Sequence, residues 1–390
     1  MTLHIGILGL FNQGWFGGVQ YISNLVTALS HLPKAESPTI TLFVPQANLH
    51  DSIYQHLDVF PNVTLTPLVV PPRWRRAAYR LLDNRFGWIV SQARRAEVEV
   101  LFPLTSSPSV QFPLAWMGWI PDLQHKHYPE YFSARELAQR DGAFAQLSRR
   151  VPRLILSSRT VQADMEYFYP SVKERINVIH FRSVPDAGMY TGDPAAVRTK
   201  YSLPSKFLLV SNQFWAHKNH QTLFEAIKRL RDRHCEVPLV CTGSTADYRN
   251  PSYFPNLEAW IRQHQLEGLI RIVGLIPADD RMQLMRAAAA IVQPSLFEGW
   301  STILEEGRML GKVAFVSDIS THREQDLPNA SYFAPTDAED LADQIAARWD
   351  SMTPGPDLVA EGNARDQQAA LVLTYAREFV TTTSAVLEIV

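Results

Sequence analysis

The chain has 390 residues, 46% of them hydrophobic and 19% charged, with 37 Lys and Arg against 39 Asp and Glu. That length exceeds what one hydrophobic core usually serves, so two domains of roughly 150 to 200 residues each are expected. The composition excludes intrinsic disorder, and a net charge of -2 gives no global attraction for nucleic acid.

In chain order, the first half offers strands at His4 to Leu8, Thr39 to Val44, Val98 to Phe102, Trp116 to Ile120, Leu154 to Ser157 and Val178 to Ile179. Helices are expected over Val19 to Ser30, Ala134 to Arg149 and Thr160 to Phe168. Between the first strand and first helix lies Gly14-Trp-Phe-Gly17-Gly18-Val19, which is not the Gly-x-Gly-x-x-Gly dinucleotide fingerprint. Residues 71–95 hold seven Arg against one Asp, with Trp74, Tyr79, Phe86 and Trp88 interleaved. On a helix this segment would suit an anionic membrane interface and a peripheral contact; a solvated face with core-directed aromatics is the other reading.

A polar stretch, Arg182 to Ser205, carries Pro185, Pro194 and Pro204 around a weak helical segment and reads as the domain boundary. Beyond it the alternation is clear. Strands are expected at Phe207 to Val210, Pro238 to Cys241, Ile270 to Val273, Ala289 to Gln293 and Val313 to Val316. Helices fall between them at Gln221 to Arg233, Leu257 to His264, Asp280 to Ala288 and Thr302 to Leu310. Short strands alternating with helices imply crossover connections and a parallel sheet covered on both faces. The last periodic segment, Asp366 to Val390, fits a long C-terminal helix. Cys235 and Cys241 are read as free, buried thiols. The N-terminus lacks the basic opening and cleavage site of a secretory signal, and no run approaches the roughly 18 apolar residues of a membrane span, so a cytoplasmic protein is expected.

The most informative stretch runs from Gln293 to Gly311, after a strand and into a helix. Ligands of open parallel sheets bind beyond the carboxyl ends of strands, and Glu298 falls in that loop. Ser301 or Thr302 is a natural N-cap, and Thr302 with Glu305 has capping-box spacing. The first free N–H groups of such a helix suit a diphosphate, and Glu306, about one turn in, can reach a second polar part of the same ligand.

The text Glu298-Gly299-Trp300-Ser301-Thr302-Ile303-Leu304-Glu305-Glu306 resembles the Glu, seven residues, Glu signature of retaining GT-B glycosyltransferases of family four. Ser301 stands where that family usually has a second Gly, and Ile303 where it has Pro. The resemblance implies that Glu298 holds hydroxyls of a donor sugar near the reacting carbon and that Glu306 grips the ribose. Backbone N–H groups of Trp300, Ser301, Thr302 and Ile303 would meet sugar and phosphate. In Val210-Ser-Asn-Gln-Phe-Trp-Ala-His-Lys-Asn-His220, Lys218 resembles the family lysine that neutralises the donor diphosphate. Gln213, beside Asn212 on the donor side, replaces the usual Arg. Gly274-Leu275-Ile276 resembles the segment whose backbone receives the base, and Gly17 with Gly18 the glycine pair that lets backbone approach the donor.

In Trp119-Ile-Pro-Asp-Leu-Gln-His-Lys-His127, relatives carry a His-Asp pair where this chain has Pro121-Asp122. The usual histidine is thus absent, and His125 or His127 is read as serving the reacting sugar or the acceptor in its place, with Asp122 beside them and Arg159 expected to meet donor or acceptor from the first domain. A metal reading of Asp122, His125 and His127 lacks a spaced Glu or Cys partner, so no metal and no cofactor is expected beyond the nucleoside diphosphate sugar as co-substrate. The implied fold is α/β, GT-B, with two Rossmann-like domains whose parallel sheets face each other across a cleft. An acceptor domain spans 1–190, joined by a C-terminal helix 372–390, and a donor domain spans 191–371. The implied function is retaining sugar transfer from a nucleoside diphosphate sugar to a glycan or lipid-linked acceptor hydroxyl, in glycan, polysaccharide or glycolipid biosynthesis. An inactive GT-B partner subunit, a sugar-binding module, a sugar-nucleotide epimerase or a phosphorylase are the alternatives.

Overall fold

The computed structural model describes residues 3–9, 16–48, 52–72, 74–76, 86–108 and 112–389. They form two compact units. The first comprises residues up to His127, Ala134–Val184 and the chain from Ala369 onward; the second comprises Tyr128–Ser133 and Pro185–Gln368.

Unit 1 is built on seven strands: β1 (His4–Leu8), β2 (Thr39–Pro45), β3 (Val63–Leu68), β4 (Val100–Leu104), β5 (Ala115–Ile120), β6 (Arg153–Leu156) and β7 (Ile176–Val178). They pair in the order β3-β2-β1-β4-β5-β6-β7, every pair parallel. Every residue of β4 and β5 is buried, the pattern of a parallel strand with both faces covered. β3 escapes the sequence reading because Thr64 and Pro67 interrupt its apolar run; at the sheet edge the missing proline N–H is tolerated. Gly17 and Gly18 open the helix Phe16–Ser30, Gly17 exposed and Gly18 buried, whereas Gly14 lies outside the described residues.

Unit 2 carries β8 (Leu208–Ser211), β9 (Leu239–Thr242), β10 (Ile270–Gly274), β11 (Ala290–Gln293), β12 (Ala314–Ser317) and β13 (Ala330–Phe333). Their order is β10-β9-β8-β11-β12-β13, again all parallel. Along β8 the side chains alternate between two buried layers. Leu208 and Val210 pack with Phe224, Ile227 and Leu341. Leu209 packs on the other layer with Met285, Ile291 and Leu304. Burying such a side chain stabilises by about 1.5 to 3 kcal/mol, which is why the apolar run at 207–210 becomes the central strand.

The boundary stretch folds as two short helices, Ala187–Thr191 and Pro194–Lys200. Asp193 starts the second, its carboxylate accepting from the N–H groups of Ala195 (2.9 Å) and Ala196 (3.1 Å). The C-terminal helix runs Leu358–Leu387, starting earlier than the periodicity from Asp366 suggests because Asp357 caps it through the N–H groups of Val359 and Ala360. Cys235 is half-buried and Cys241 buried, both free thiols. No described helix is long and apolar enough to cross a membrane.

Candidate active site

The strand order of unit 2 reverses between β8 and β11, and in an open parallel sheet that switch point opens the ligand crevice at the strands' carboxyl ends. Two loops leave from there, one after Ser211 and one after Gln293, and they are joined residue by residue. Asn212 Nδ2 donates to Gln293 Oε1 (2.8 Å), and the Leu296 N–H to the His217 carbonyl (2.8 Å). Asn219, held in the left-handed region at φ 55°, donates Nδ2 to the carbonyls of Pro294 (3.0 Å) and Pro335 (2.7 Å). Asparagine suits that conformation better than most side chains.

The product of this stitching is the geometry around Glu298, whose side chain is 9% exposed. One carboxylate oxygen, Oε1, accepts from Lys218 Nζ (2.5 Å), Gln293 Nε2 (2.8 Å) and Ser295 Oγ (2.8 Å). The other oxygen, Oε2, has no partner among the described residues. A buried carboxylate needs such donors to offset its lost hydration, and here all of them sit on one oxygen. The second oxygen is left as an acceptor for something else.

The backing comes from β12 and the helix Ser320–Gln325. Thr321 Oγ1 donates to the Glu298 carbonyl (2.8 Å), and Ser317 Oγ to the Ser295 carbonyl (2.5 Å). Gln325 brackets the backbone of Ser301, accepting from its N–H (2.9 Å) and donating to its carbonyl (2.9 Å). The helix Thr302–Met309 starts where the sequence suggests, with Ser301 as N-cap, but the capping box does not form. Thr302 is already helical, and the residue three beyond Ser301 is Leu304, so no carboxylate is in register. Ser301 Oγ is buried with no partner among the described residues, and Glu305 instead accepts from Gln325 Nε2 (3.3 Å). The first α-helical bond is Glu305 N–H to the Ser301 carbonyl (3.3 Å), so the N–H groups of Thr302, Ile303 and Leu304 precede it.

Glu306 is also buried, and both its oxygens accept from Arg281, Nη2 to Oε1 at 2.7 Å and Nη1 to Oε2. Arg281 sits on the helix Ala278–Ala287, just after β10 and Gly274-Leu275. Gly274 has φ +81° and Leu275 is 66% exposed. Gln213 and Trp300 are half-buried in the two loops.

The remaining sequence-derived candidates belong to unit 1. His125 is buried, Nε2 3.0 Å from Asp141 Oδ1, which also accepts from Lys126 and Tyr169. His127 Nε2 lies 2.8 Å from Asp164 Oδ2, Asp122 accepts the Gln124 N–H (3.0 Å), and Arg159 is the exposed first residue of the helix Arg159–Phe168. His125, His127 and Asp122 are thus tied to different partners. Among the described residues no group of three or more His, Cys, Asp and Glu side chains is placed to hold a metal ion.

Sequence reasoning overlooks Gln293, Ser295, Asn219, Thr321, Gln325 and Arg281. It also overlooks His220 and His322, both fully buried. Burial pulls the His220 imidazole down to about 3 and His322 to about 4, although Glu298 opposes the latter shift. Both are therefore neutral in the fold, while the unfolded chain takes up protons near 6.5. Stability must fall as pH drops from 6.5 towards 4, by on the order of 3 kcal/mol per histidine. His220 stacks on Phe214 (ring centroids 4.1 Å apart) and neither ring nitrogen has a partner among the described residues. His220→Phe should accordingly flatten that part of the pH–stability curve, checked by melting temperatures at pH 7, 6, 5 and 4; an unchanged slope would show that the loss resides elsewhere.

Two all-parallel Rossmann-like sheets of seven and six strands are the GT-B architecture. Residues 198–349 match the family described as Glycosyl transferases group 1, which classes the chain as a glycosyltransferase. The chain is similar in fold to a glycosyltransferase from Rickettsia africae ESF-5, at 16% identity and TM-score 0.67, covering 100% of this chain and 97% of that one. It is likewise similar to HepE of Anabaena, solved in complex with UDP-glucose, at 16% identity and TM-score 0.67, covering 98% and 100%. A third similar structure is sucrose-phosphate synthase from Thermosynechococcus elongatus, at 16% identity and TM-score 0.61, covering 99% and 95%. No curated protein sequence matches the chain.

Proposed function

We propose that the protein transfers a sugar from a nucleoside diphosphate sugar to an acceptor hydroxyl with retention of the anomeric configuration. One observation carries this reading: Glu298 is fixed through one oxygen by three protein donors and keeps the other as an acceptor. A fixed acceptor of that kind suits hydroxyls of a bound donor sugar. Lys218, held against Glu298, supplies positive charge for the leaving diphosphate, and the N–H groups of Thr302, Ile303 and Leu304 add the helix's positive end. The similar HepE structure holds UDP-glucose, in keeping with a donor of this class.

Retention rests on the resemblance to family four. In that reading the acceptor attacks from the face the phosphate leaves, and the leaving phosphate takes the acceptor proton. No metal is required, because Lys218 and the helix terminus offset the developing charge. The base would meet Gly274 and Leu275 and the sugar-side backbone Trp300 and Ser301, with Asn212, Gln213, Gly17 and Gly18 also on the donor. His125, Asp122, His127 and Arg159 are assigned to the reacting sugar or acceptor from the sequence alone. A cytoplasmic site of action is part of the same reading, with a glycan or lipid-linked acceptor and a peripheral membrane contact through 71–95. Within that segment Trp74 is 67% exposed, and residues 73 and 77–85 lie outside the described ones.

The test is a thermal-shift screen of UDP-, GDP- and ADP-sugars, followed by product analysis with the donor that binds. A ligand at 100 times its Kd raises stability by about 2.7 kcal/mol, a clear rise in melting temperature. Anomeric NMR of the product should show the donor's configuration. Inversion would remove the retaining step, and nucleotide binding without transfer to any acceptor would favour a sugar-binding module or partner subunit.

A further inference from the structure

Glu306 is the residue expected to meet the ribose, yet both its oxygens are already filled by Arg281. In this end-on pair the carboxylate presents its most favourable lone pairs to the guanidinium, so a ribose diol would have to displace the arginine to bind in the same way. A guanidinium carries five N–H donors. Two point at Glu306, and the others have no partner among the described residues. The accessible member of the pair is also the cation: the Arg281 side chain is 22% exposed and that of Glu306 only 6%. What a ligand meets here is a donor array held in place by a carboxylate behind it.

We infer that Arg281 is the group that contacts the nucleotide, and that Glu306 is a positioning residue that aims and neutralises it. The inference rests on the donor reading above. It assigns Arg281 to the oxygens of a nucleoside diphosphate, either the ribose hydroxyls or the adjoining phosphate.

Calorimetric titration of the full chain with UDP, GDP and ADP first identifies the nucleotide that binds, and the same titration with its phosphate-free nucleoside follows. Arg281→Leu should weaken the diphosphate by about tenfold to a hundredfold, Arg281→Lys should restore part of the loss, and Glu306→Gln should cost several-fold less than Arg281→Leu. A loss shared by the nucleoside places the contact at the ribose, and a loss confined to the diphosphate places it at the phosphate; both support the assignment. Arg281→Leu leaves Glu306 buried and unpaired, so the variant risks misfolding. The double variant Arg281→Met with Glu306→Met removes both charges at similar volume and, once melting curves show it folded, should also lose the nucleotide. Unchanged or tighter binding by Arg281→Leu or by the double variant overturns the inference, as does Glu306→Gln losing as much as Arg281→Leu. A wild-type protein that binds none of the three nucleotides overturns the donor reading itself.

Discussion

Changing Glu298 to Gln should abolish sugar transfer while leaving the fold and the binding of free nucleoside diphosphate in place. The substitution is nearly isosteric, and its amide oxygen can keep the position of Oε1, accepting from Lys218, Gln293 and Ser295. The NH2 group then occupies the position of Oε2. An acceptor becomes a donor at the oxygen that has no partner among the described residues, and the negative charge near the reacting centre is lost. Loss of one preorganised electrostatic contact typically lowers turnover by about 10²- to 10³-fold. The larger effect expected here comes from combining that loss with a reversed hydrogen bond.

Glu298→Ala should be as inactive, but it leaves Lys218 without its counter-charge, so the Gln variant separates chemistry from folding more cleanly. Three measurements check the expectation: turnover with the donor sugar, titration with the nucleotide alone, and a melting curve. A Gln variant that turns over at the wild-type rate would falsify the assignment of Glu298. A variant that loses the free nucleotide as well would shift its role from the sugar to the diphosphate.

How much of this site can be read from the chain depends on the range of the signal. Glu298, Lys218 and Gly274 each follow a short apolar run, so strand reading and the strand-end rule place them in loops without any tertiary information. The partners that fix Glu298 are different in kind. Gln293 and Lys218 are 75 residues apart and Thr321 is 23 residues beyond Glu298, and only the order β8-β11-β12 makes them neighbours. Arg281 looks from sequence like an ordinary solvated charge on an amphipathic helix; its meaning appears only when the helix Thr302–Met309 brings Glu306 against it. His125 is singled out by its place after a strand, whereas its burial and its 3.0 Å contact with Asp141 are set by packing in unit 1 that no local signal announces. Edge strands β3 and β13 are the weakest signals in the fold, because an edge strand is covered less and its apolar pattern fades accordingly.

Gly243→Ala should be among the most damaging single methyl additions in the chain. Gly243 follows β9 at φ +131°, a conformation side chains rarely adopt, and an added Cβ would lie 2.0 Å from the Asn212 carbonyl oxygen and 2.5 Å from its carbon. Neither neighbour is a flexible side-chain end that can swing aside. The local backbone is also tied on both sides, by the Gly243 N–H to the Gly274 carbonyl (2.9 Å) and the Phe214 N–H to the Ser244 carbonyl (2.9 Å). Strain and overlap together should destabilise the fold by about 2 to 4 kcal/mol, a fall in melting temperature on the order of 10 °C. Gly268→Ala is the matching control, since its Cβ would meet nothing within 4 Å. The consequence for function follows from the same atom. The carbonyl that must move belongs to Asn212, whose side chain holds Gln293, which in turn holds Glu298. Wherever the variant remains folded, the transfer rate should drop although no residue touching the donor has changed, and full activity at low temperature would show that the loop absorbs the methyl without disturbing the pinned carboxylate.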